Sequence, residues 1–300
     1  MSAVDVGALL LALSLAGPAG HAAQATQPAP AAAGAVAQPI RWSAGVEYQR
    51  DRFDYRFENP SSYDTAELVP HVYEQRYDAD NAWFTGRVRF SLGKRAFETE
   101  GGISAAAAGT GSDYDMFHQP DGNMIVYGTT AVTDAWSWRA AQYVILGPWL
   151  GVRWRGAYSY RRDRADFRPS DTTIVETKPP SSTVFWNADR ETTISEVHEV
   201  RIGAERIFAP GGAWRVRVTG DTAPTTLARL TTILPDKYDE PVVSMAKGLS
   251  VNAAIEVAKR FNQWEASAVV SYARTWSYSG SDAYHRQAMS VAVTIGRAAE

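Results

Sequence analysis

The feature that most limits the fold of this chain is an alternation of polar and apolar residues with a period of two, which recurs in ten segments after residue 40. Successive side chains of a β-strand point to opposite faces, so each segment is expected to be a strand with one polar and one apolar face. Helical periodicity is almost absent here, and the pattern therefore predicts an all-β fold. The predicted strands are 41–57, 82–93, 95–109, 133–146, 149–167, 194–208, 213–226, 247–261, 263–277 and 284–296.

The connections between these segments alternate in length. Tight links such as Leu146-Gly147-Pro148 and Phe261-Asn262 join segments two and three, four and five, six and seven, and eight and nine. The remaining connections are polar and mostly long: 58–81, 110–132, 168–193, 227–246 and 278–283. Barrels of bacterial outer membranes combine an even number of strands with brief periplasmic turns and extended outer loops. We therefore predict a ten-stranded antiparallel up-and-down transmembrane β-barrel with short periplasmic turns and long extracellular loops.

The position of the aromatic residues favours a membrane barrel over a soluble one. A soluble barrel buries its apolar face, whereas a membrane barrel turns that face toward lipid and carries aromatic girdles at the membrane interfaces. Large aromatic residues lie at or beside the short links: Phe90, Phe97, Trp149, Phe208, Trp214, Phe261 and Trp264. The predicted lipid-facing residues are Phe84, Val88, Leu150, Val152, Val200, Ile202, Val216, Val251, Ile255, Ala268, Val270, Val291 and Val293.

The opposite face of the segments is charged and is expected to line the lumen. A ten-stranded barrel is barely wider than an eight-stranded one, which side chains can fill. Opposite charges should pair across it, because an unpaired charge away from water is costly. The favoured interpretation is a salt-bridged plug, and the alternatives are an ion-conducting path, a proton relay and a ligand site. The predicted network is Arg87, Arg89, Glu98, Glu100, Arg153, Arg155, Glu199, Arg201, Glu205, Arg215, Arg217 and Glu256.

The beginning of the chain reads as an export signal. Residues 6–16 form an apolar run too short to span a bilayer, and Ala23-Gln24-Ala25 resembles a signal-peptidase cleavage site. The alternative is an ordinary buried helix. An Ala/Pro-rich stretch follows, with nothing to bury. The predicted organisation is a signal peptide at 1–25, a linker at 26–40 and the barrel at 41–300.

Composition removes several classes of function. The chain has no cysteine, which excludes disulfides, thiol catalysis and cysteine-ligated metal sites. Its 30 basic and 33 acidic residues give no electrostatic argument for nucleic-acid binding. A mean hydropathy of -0.28 excludes a helical multi-span membrane protein. His198 and His285 have no second ligand at metal spacing, so neither a metal nor a cofactor is predicted.

The segment with the most chemical potential is residues 109–122, interpreted as an outer loop. Asp113 and Asp115 form an Asp-x-Asp pair, and His118 follows three residues later. Residues at i and i+2 of a strand share a face, so the two carboxylates could converge on one water or cation. The alternative is an ordinary polar loop, in which Asp and Gly favour turns. The candidate catalytic residues are Asp113, Asp115 and His118.

The ten-strand layout, the long loops and the Asp-x-Asp pair after the third segment resemble the omptins, outer-membrane endopeptidases of Gram-negative bacteria. The resemblance implies that Asp113 and Asp115 match the family's Asp dyad. Omptins pair this dyad with an Asp/His couple on a facing loop, and the four residues activate a water. The matching segment here, 234–240, contains Asp236 and Asp239 but no His.

The missing His limits what the resemblance implies about activity. Only His118 or His71, from other loops, could substitute as the general base. The resemblance therefore implies an omptin-like barrel without protease activity.

Three classes of function remain open. The first is a non-enzymatic outer-membrane barrel (structural, adhesive or a narrow pore), the second an omptin-like aspartate-dependent endopeptidase, and the third a secreted soluble β-barrel that binds a ligand. The first is favoured, with the cell outer membrane as its location. The expected partners are outer-membrane lipid, lipopolysaccharide included, and the outer-membrane insertion machinery, with no nucleic acid.

Overall fold

A computed structural model describes residues 40–61, 69–119, 122–176, 191–233, 235, 240–277 and 283–297. They belong to the unit Val36–Glu300. The predicted signal peptide and nearly all of the linker lie outside the described residues, so both remain predictions. No helix in the described part of the chain is long and apolar enough to cross a membrane. The ten strands are β1 Arg41–Ser61, β2 Val69–Leu92, β3 Arg95–Gln119, β4 Gly122–Trp149, β5 Val152–Glu176, β6 Glu191–Gly211, β7 Trp214–Ile233, β8 Val242–Phe261, β9 Trp264–Ser277 and β10 Ala283–Arg297.

The ten strands form one closed antiparallel barrel in sequence order. Each strand pairs with its neighbours in the chain, and β1 closes the sheet against β10. Trp42 of β1 thus lies between Val88 of β2 and Arg297 of β10. The pairings close into a ring, so that near the short turns of the barrel each strand is bonded to a neighbour on both sides, as a sheet inside a bilayer requires. The predicted all-β fold with a ten-stranded antiparallel barrel is confirmed.

Two-residue turns join four pairs of strands at one end of the barrel, here called the turn end; the opposite end is called the loop end. Each of these turns contains a residue with positive φ, at Gly93, Leu150, Gly212 and Asn262. Gly and Asn adopt this conformation readily, whereas a Leu does so only under constraint. Leu150, predicted to lie on a lipid-facing strand, instead lies in the turn between β4 and β5, where it is 96% exposed.

Most strands extend further toward the loop end than the sequence predicts. Residues 69–81, 110–119 and 122–132 were expected in connections, yet they lie on β2, β3 and β4. Only residues 120 and 121 separate β3 from β4. The strands were predicted from the alternation of apolar and polar residues expected for a lipid-facing wall. This alternation ends before the strands themselves end.

The outer face near the turn end is apolar and exposed. Val46 on β1 is 56% exposed, and Val291 on β10 is 53% exposed. The predicted lipid-facing residues other than Leu150 lie on this outer face. The predicted aromatic girdle is exposed beside the short turns, with Phe90 and Phe97 stacked at 5.1 Å between their ring centroids.

The polarity of the two faces inverts part of the way along the strands. On β1, the charged residues Glu47 and Asp51 point into the lumen. Beyond Asp51, toward the loop end, the buried Phe53 takes the lumen position and Arg52 faces outward. The same change occurs on β5, where Arg155 is buried in the lumen and, closer to the loop end, Phe167 takes that place. The barrel thus has a lower segment with an apolar exterior and a charged lumen. Its upper segment, toward the loop end, has a charged exterior and an apolar interior.

The upper segment has a packed aromatic core inside the barrel. Phe53 stacks on Tyr77 at 4.8 Å between ring centroids and meets Tyr284 edge-on at 5.2 Å. Val197 and Leu230 belong to the same cluster. Outside this core, charges pair across neighbouring strands, as in the contacts of Arg52 with Asp78, Arg76 with Asp54 and Arg56 with Glu74. The upper segment is built like a small soluble barrel.

Candidate functional site

The lumen of the lower segment is crossed by a set of ion pairs near the turn end, here called the lower charge layer and formed by Arg89, Glu98, Glu205 and Arg217. Arg217 on β7 lies 2.8 Å from Glu98 on β3 and 2.8 Å from Glu205 on β6. Arg89 on β2 lies 2.7 Å from Glu205 and 3.2 Å from Glu98. Both Glu side chains are fully buried, so each is held by two guanidinium groups.

Two of these pairs, Arg89–Glu205 and Arg217–Glu98, connect strands on opposite sides of the barrel. β2 and β6 lie four strands apart around the ring, as do β3 and β7. Arg87 of β2 reaches Glu256 of β8 at 2.8 Å, and Arg215 of β7 binds the same carboxylate at 2.6 Å. The chain therefore spans its own lumen with charged side chains instead of lining an open channel.

Each member of the predicted lumen network takes part in an ion pair within the lumen. Arg87 also contacts Glu100 at 3.0 Å, and Arg201 contacts Glu199. Arg153 contacts Glu205 at 3.5 Å. Arg155 differs from the others: it is buried, yet its nearest carboxylate oxygens, on Glu98 and Asp221, are both 3.7 Å away.

A second set of crossing pairs lies at the level where the polarity inverts, here called the four-residue ring and formed by Asp51, Arg161, Asp163 and Arg286. Arg161 contacts Asp51 at 2.9 Å and Asp163 at 2.8 Å. Arg286 contacts Asp163 at 2.8 Å and also binds Asp51 through its Nε at 2.9 Å. Alternating charges thus join β1, β5 and β10, with β5 and β10 on opposite sides of the barrel.

The sequence-based network omits this ring, although the alternation contains a usable signal. The ring residues occupy inward positions, in phase with those of the lower charge layer. All four residues lie inside predicted strands, at 41–57, 149–167 and 284–296. Their inward phase is the signal that places them in the lumen.

Trp83 connects the ring to the wall of the lower segment. This buried indole lies between two guanidinium groups, with Arg139 Cζ 4.5 Å and Arg161 Cζ 5.0 Å from the ring centroid. Arg139 also reaches across to Glu47 of β1 at 2.5 Å. Cation–π contacts with the indole help to hold both arginines in place.

A cavity of about 250 Å³ remains in the lumen, here called the chamber. It lies between the lower charge layer and the four-residue ring. Arg155, Arg201, Asp221 and Tyr143 line one side of it. The guanidinium of Arg155 lies over the ring of Tyr143 at 4.2 Å.

The predicted catalytic residues lie near the loop end of β3 and not in a loop. Asp113 opposes Gln75 of β2, and Asp115 opposes Tyr73. His118 lies three residues beyond Asp115 on the same strand, one residue before its end. The side chains of these residues lie outside what the structure describes, so their catalytic roles remain predictions.

The substitute base His71 lies on β2, opposite Phe117 of β3. The backbone therefore places it beside the end of β3 that carries Asp115 and His118. The segment with Asp236 and Asp239 lies outside the described residues. No group of three or more His, Cys, Asp and Glu side chains that could hold a metal ion occurs in the described part of the chain.

His198 lies on the outer face, where it contacts aromatic side chains of the neighbouring strand. Its Nδ1 lies 2.7 Å from the hydroxyl oxygen of Tyr158, and its ring packs against Tyr160 at 4.8 Å between centroids. Trp138 packs against Tyr160 in a tilted arrangement, at 4.7 Å between centroids. These rings form an aromatic patch on the outer face of β4, β5 and β6, which the sequence did not reveal.

Comparison with solved structures identifies the architecture. The outer membrane protease OmpT from Escherichia coli superimposes with a TM-score of 0.61, covering 86% of this chain and 96% of that one, at 10% sequence identity. The barrel is omptin-like in fold. At this identity the likeness establishes the fold alone, and it confirms the resemblance at that level.

Other solved barrels match less well. The Pseudomonas putida toluene transporter TodX gives a TM-score of 0.31 at 8% identity, over 86% of this chain and 89% of that one. The translocator domain of the autotransporter NalP from Neisseria meningitidis gives 0.29 at 13% identity, over 85% and 88%. No protein-family model and no curated protein sequence matches the omptin-like chain.

Proposed function

We propose that this protein is an integral outer-membrane β-barrel with a structural role, whose lumen is closed and whose upper segment stands above the lipid. The observation that carries the proposal is the inversion of polarity along the strands. In the lower segment the apolar residues face outward and the charges face inward, which is stable only where the exterior is not water.

The exposed apolar band argues against a secreted soluble barrel. A soluble barrel would have to hold Val46, Phe84 and Ile255 in water, although each is more than half exposed. Soluble proteins rarely expose contiguous apolar patches larger than a few hundred Å². Lipid around the lower segment removes this cost.

The direction of the barrel follows from the two segments. Outer-membrane barrels keep short turns on the periplasmic side and project their longer elements outward. The upper segment, with paired charges outside and an aromatic core inside, suits an aqueous environment at the cell surface. Outer-membrane lipid and the insertion machinery are the partners that this arrangement requires.

A structural role is favoured over a pore or a protease by the way the lumen is filled. Two sets of ion pairs and one aromatic core cross it. These contacts stiffen the wall and obstruct the lumen, so the barrel acts as a rigid support for the segments at its loop end.

Membrane insertion can be tested on the refolded full chain. We expect it to float with lipid vesicles in a density gradient and to migrate faster in unheated than in heated gel samples, because the closed barrel resists detergent. A protein that remains monodisperse in buffer without detergent and does not float would contradict the proposal.

A further inference from the structure

The wall of the chamber is uneven. Along β8, β9 and β10 its lining is mostly small and uncharged, as at Ser250, Asn252, Ser271, Thr275 and Ala292. The long arginine side chains that enter the lumen near it come mainly from the opposite strands. The free volume is therefore concentrated against the β8–β10 wall.

Two charged groups at the edge of the chamber have unused hydrogen-bonding capacity. Arg155 and Asp221 are both more than nine-tenths buried and line the chamber. Their closest approach, from Arg155 to Asp221 Oδ2, is 3.7 Å, which is too long for a hydrogen bond. In the described part of the chain, Arg155 Nε and Asp221 Oδ1 have no hydrogen-bond partner.

The buried side chains of Arg155 and Asp221 require a polar ligand or water to complete their hydrogen bonds. A buried charged group without a hydrogen bond loses its solvation without compensation. Water occupies about 30 Å³ in the liquid, so a chamber of this volume has room for roughly eight molecules. A site that presents a guanidinium and a carboxylate, neither fully neutralised by direct contact, can also accept small ions of either sign.

The chamber is closed toward the loop end. The four-residue ring crosses the lumen there through contacts of 2.9 Å or less. Directly beyond it, Phe53 and Tyr284 are both only 1% exposed. The ring of ion pairs and the closely packed aromatic layer behind it obstruct the lumen on this side of the chamber.

The chamber continues in the other direction, along the seam between β1 and β10. Its lining includes Ser43 and Thr294. Ser43 is the third residue of β1 and opposes Gly296 of β10, so this part lies close to the turn end. Ser43 and Thr294 have short side chains, and the hydroxyl of Thr294 forms a hydrogen bond with that of Ser267.

We infer that the chamber is an aqueous site for water and small inorganic ions, that these reach it from the turn end along the β1–β10 seam, and that it is sealed toward the loop end. The assignment of the turn end to the periplasmic side rests on the proposed function. The chamber and its route do not, because they follow from the lining and the contacts inside the barrel.

The absence of cysteine from the chain allows a direct test. Ser271→Cys places one thiol in the chamber, and the matched control Leu230→Cys places one in the buried core of the upper segment. The full chain in lipid nanodiscs is treated with a small charged methanethiosulfonate reagent, and labelling is followed by mass. Because a thiol reacts according to its exposure and ionisation, we expect Ser271→Cys to react about tenfold faster than Leu230→Cys or more. Equal rates would overturn the aqueous site.

The route is tested by blocking the seam. In the Ser271→Cys background, Ser43→Trp should lower the labelling rate about tenfold by filling the turn-end part of the chamber. Val269→Trp, which lines the chamber on β9, serves the same purpose if the first variant does not fold. An unchanged rate in a folded blocking variant would overturn the turn-end route.

The result of the labelling experiment can be distinguished from the result of the membrane-insertion experiment. Heat-modifiable gel migration verifies folding of every variant, and vesicle flotation reports on membrane insertion. A barrel that does not float refutes the membrane proposal, while the same labelling rates measured in detergent still decide whether the chamber is aqueous.

Discussion

At the scale of single residues, the lumen is packed so closely that one glycine has no room for a methyl group. A Cβ on Gly203 would lie 2.1 Å from Asp221 Oδ1 and 2.2 Å from the carbonyl oxygen of Gly220. We expect Gly203→Ala to lower the free energy of unfolding by about 1–3 kcal/mol through overpacking. Urea unfolding in detergent micelles measures this change.

Gly156 on β5 is the matched control. A Cβ there meets nothing within 4 Å. Gly156→Ala should therefore leave stability unchanged or raise it by about 0.4–1 kcal/mol, since it restricts the unfolded chain. An equal loss of unfolding free energy in the two variants would show that the close contacts at position 203 do not require a glycine there.

The lipid-facing residues provide a second test at this scale. Val216 is on the outer face of the lower segment, where we expect Val216→Arg to cost about 2–4 kcal/mol if it lies at the bilayer midplane. The measurement is the yield of folded protein that floats with lipid vesicles. Gln287→Arg, on the outer face of β10 where side chains are charged, should insert like the unmodified chain. Normal insertion of Val216→Arg would contradict the membrane assignment of the lower segment.

At the scale of strands, the sequence predicted the phase of each face but not the length of each strand. Residues such as Arg87 and Glu98 stand in the lumen because alternation places them there. The extensions of β2 and β3 were missed because Asp78 and Arg76 face outward, where lipid-facing residues were sought. The partner of each charged residue could not be predicted from the sequence. Arg89 and Glu205, for example, are far apart in the chain and meet only when the barrel closes.

The four-residue ring should contribute far more than the outer ion pairs. Arg286→Met leaves Asp51 and Asp163 buried with one guanidinium between them, and we expect it to cost about 3–5 kcal/mol. The control is Arg52→Met, which breaks an exposed pair with Asp78 and should cost about 0–1 kcal/mol. Urea midpoints of the two variants compare these costs directly, and similar losses would contradict the assigned role of the ring.

The aromatic core of the upper segment can be compared with the lipid-facing surface in the same way. Phe53 is 1% exposed and contacts the rings of Tyr55, Tyr77 and Tyr284, so Phe53→Ala should cost about 3–5 kcal/mol. Phe84 is 67% exposed on the outer face, and lipid can replace its contacts. Phe84→Ala should therefore shift the unfolding midpoint much less than Phe53→Ala. A larger shift for Phe84→Ala would contradict the assignment of the core to the interior of the upper segment.

For the whole molecule, the crossing pairs and the aromatic core predict a barrel that does not conduct. We expect planar bilayers containing the inserted protein to show no stepwise current, because the lumen is sealed between the chamber and the loop end. Vesicle flotation of the same sample establishes that protein is present. Reproducible current steps from the unmodified barrel would show that the seal opens.

The pairing of β1 with β10 has a consequence for how this molecule is made. β1 is synthesised before the other strands, but one of its edges can be bonded only when β10 is present. The contact that closes the barrel therefore joins the two strands with the greatest separation along the chain. Loop closure over so long a separation is entropically costly and slows folding. Until then the growing chain has two open edges and an apolar surface, both prone to aggregation. The barrel therefore closes only after β10 has been synthesised, and a holding chaperone would protect the chain during that delay.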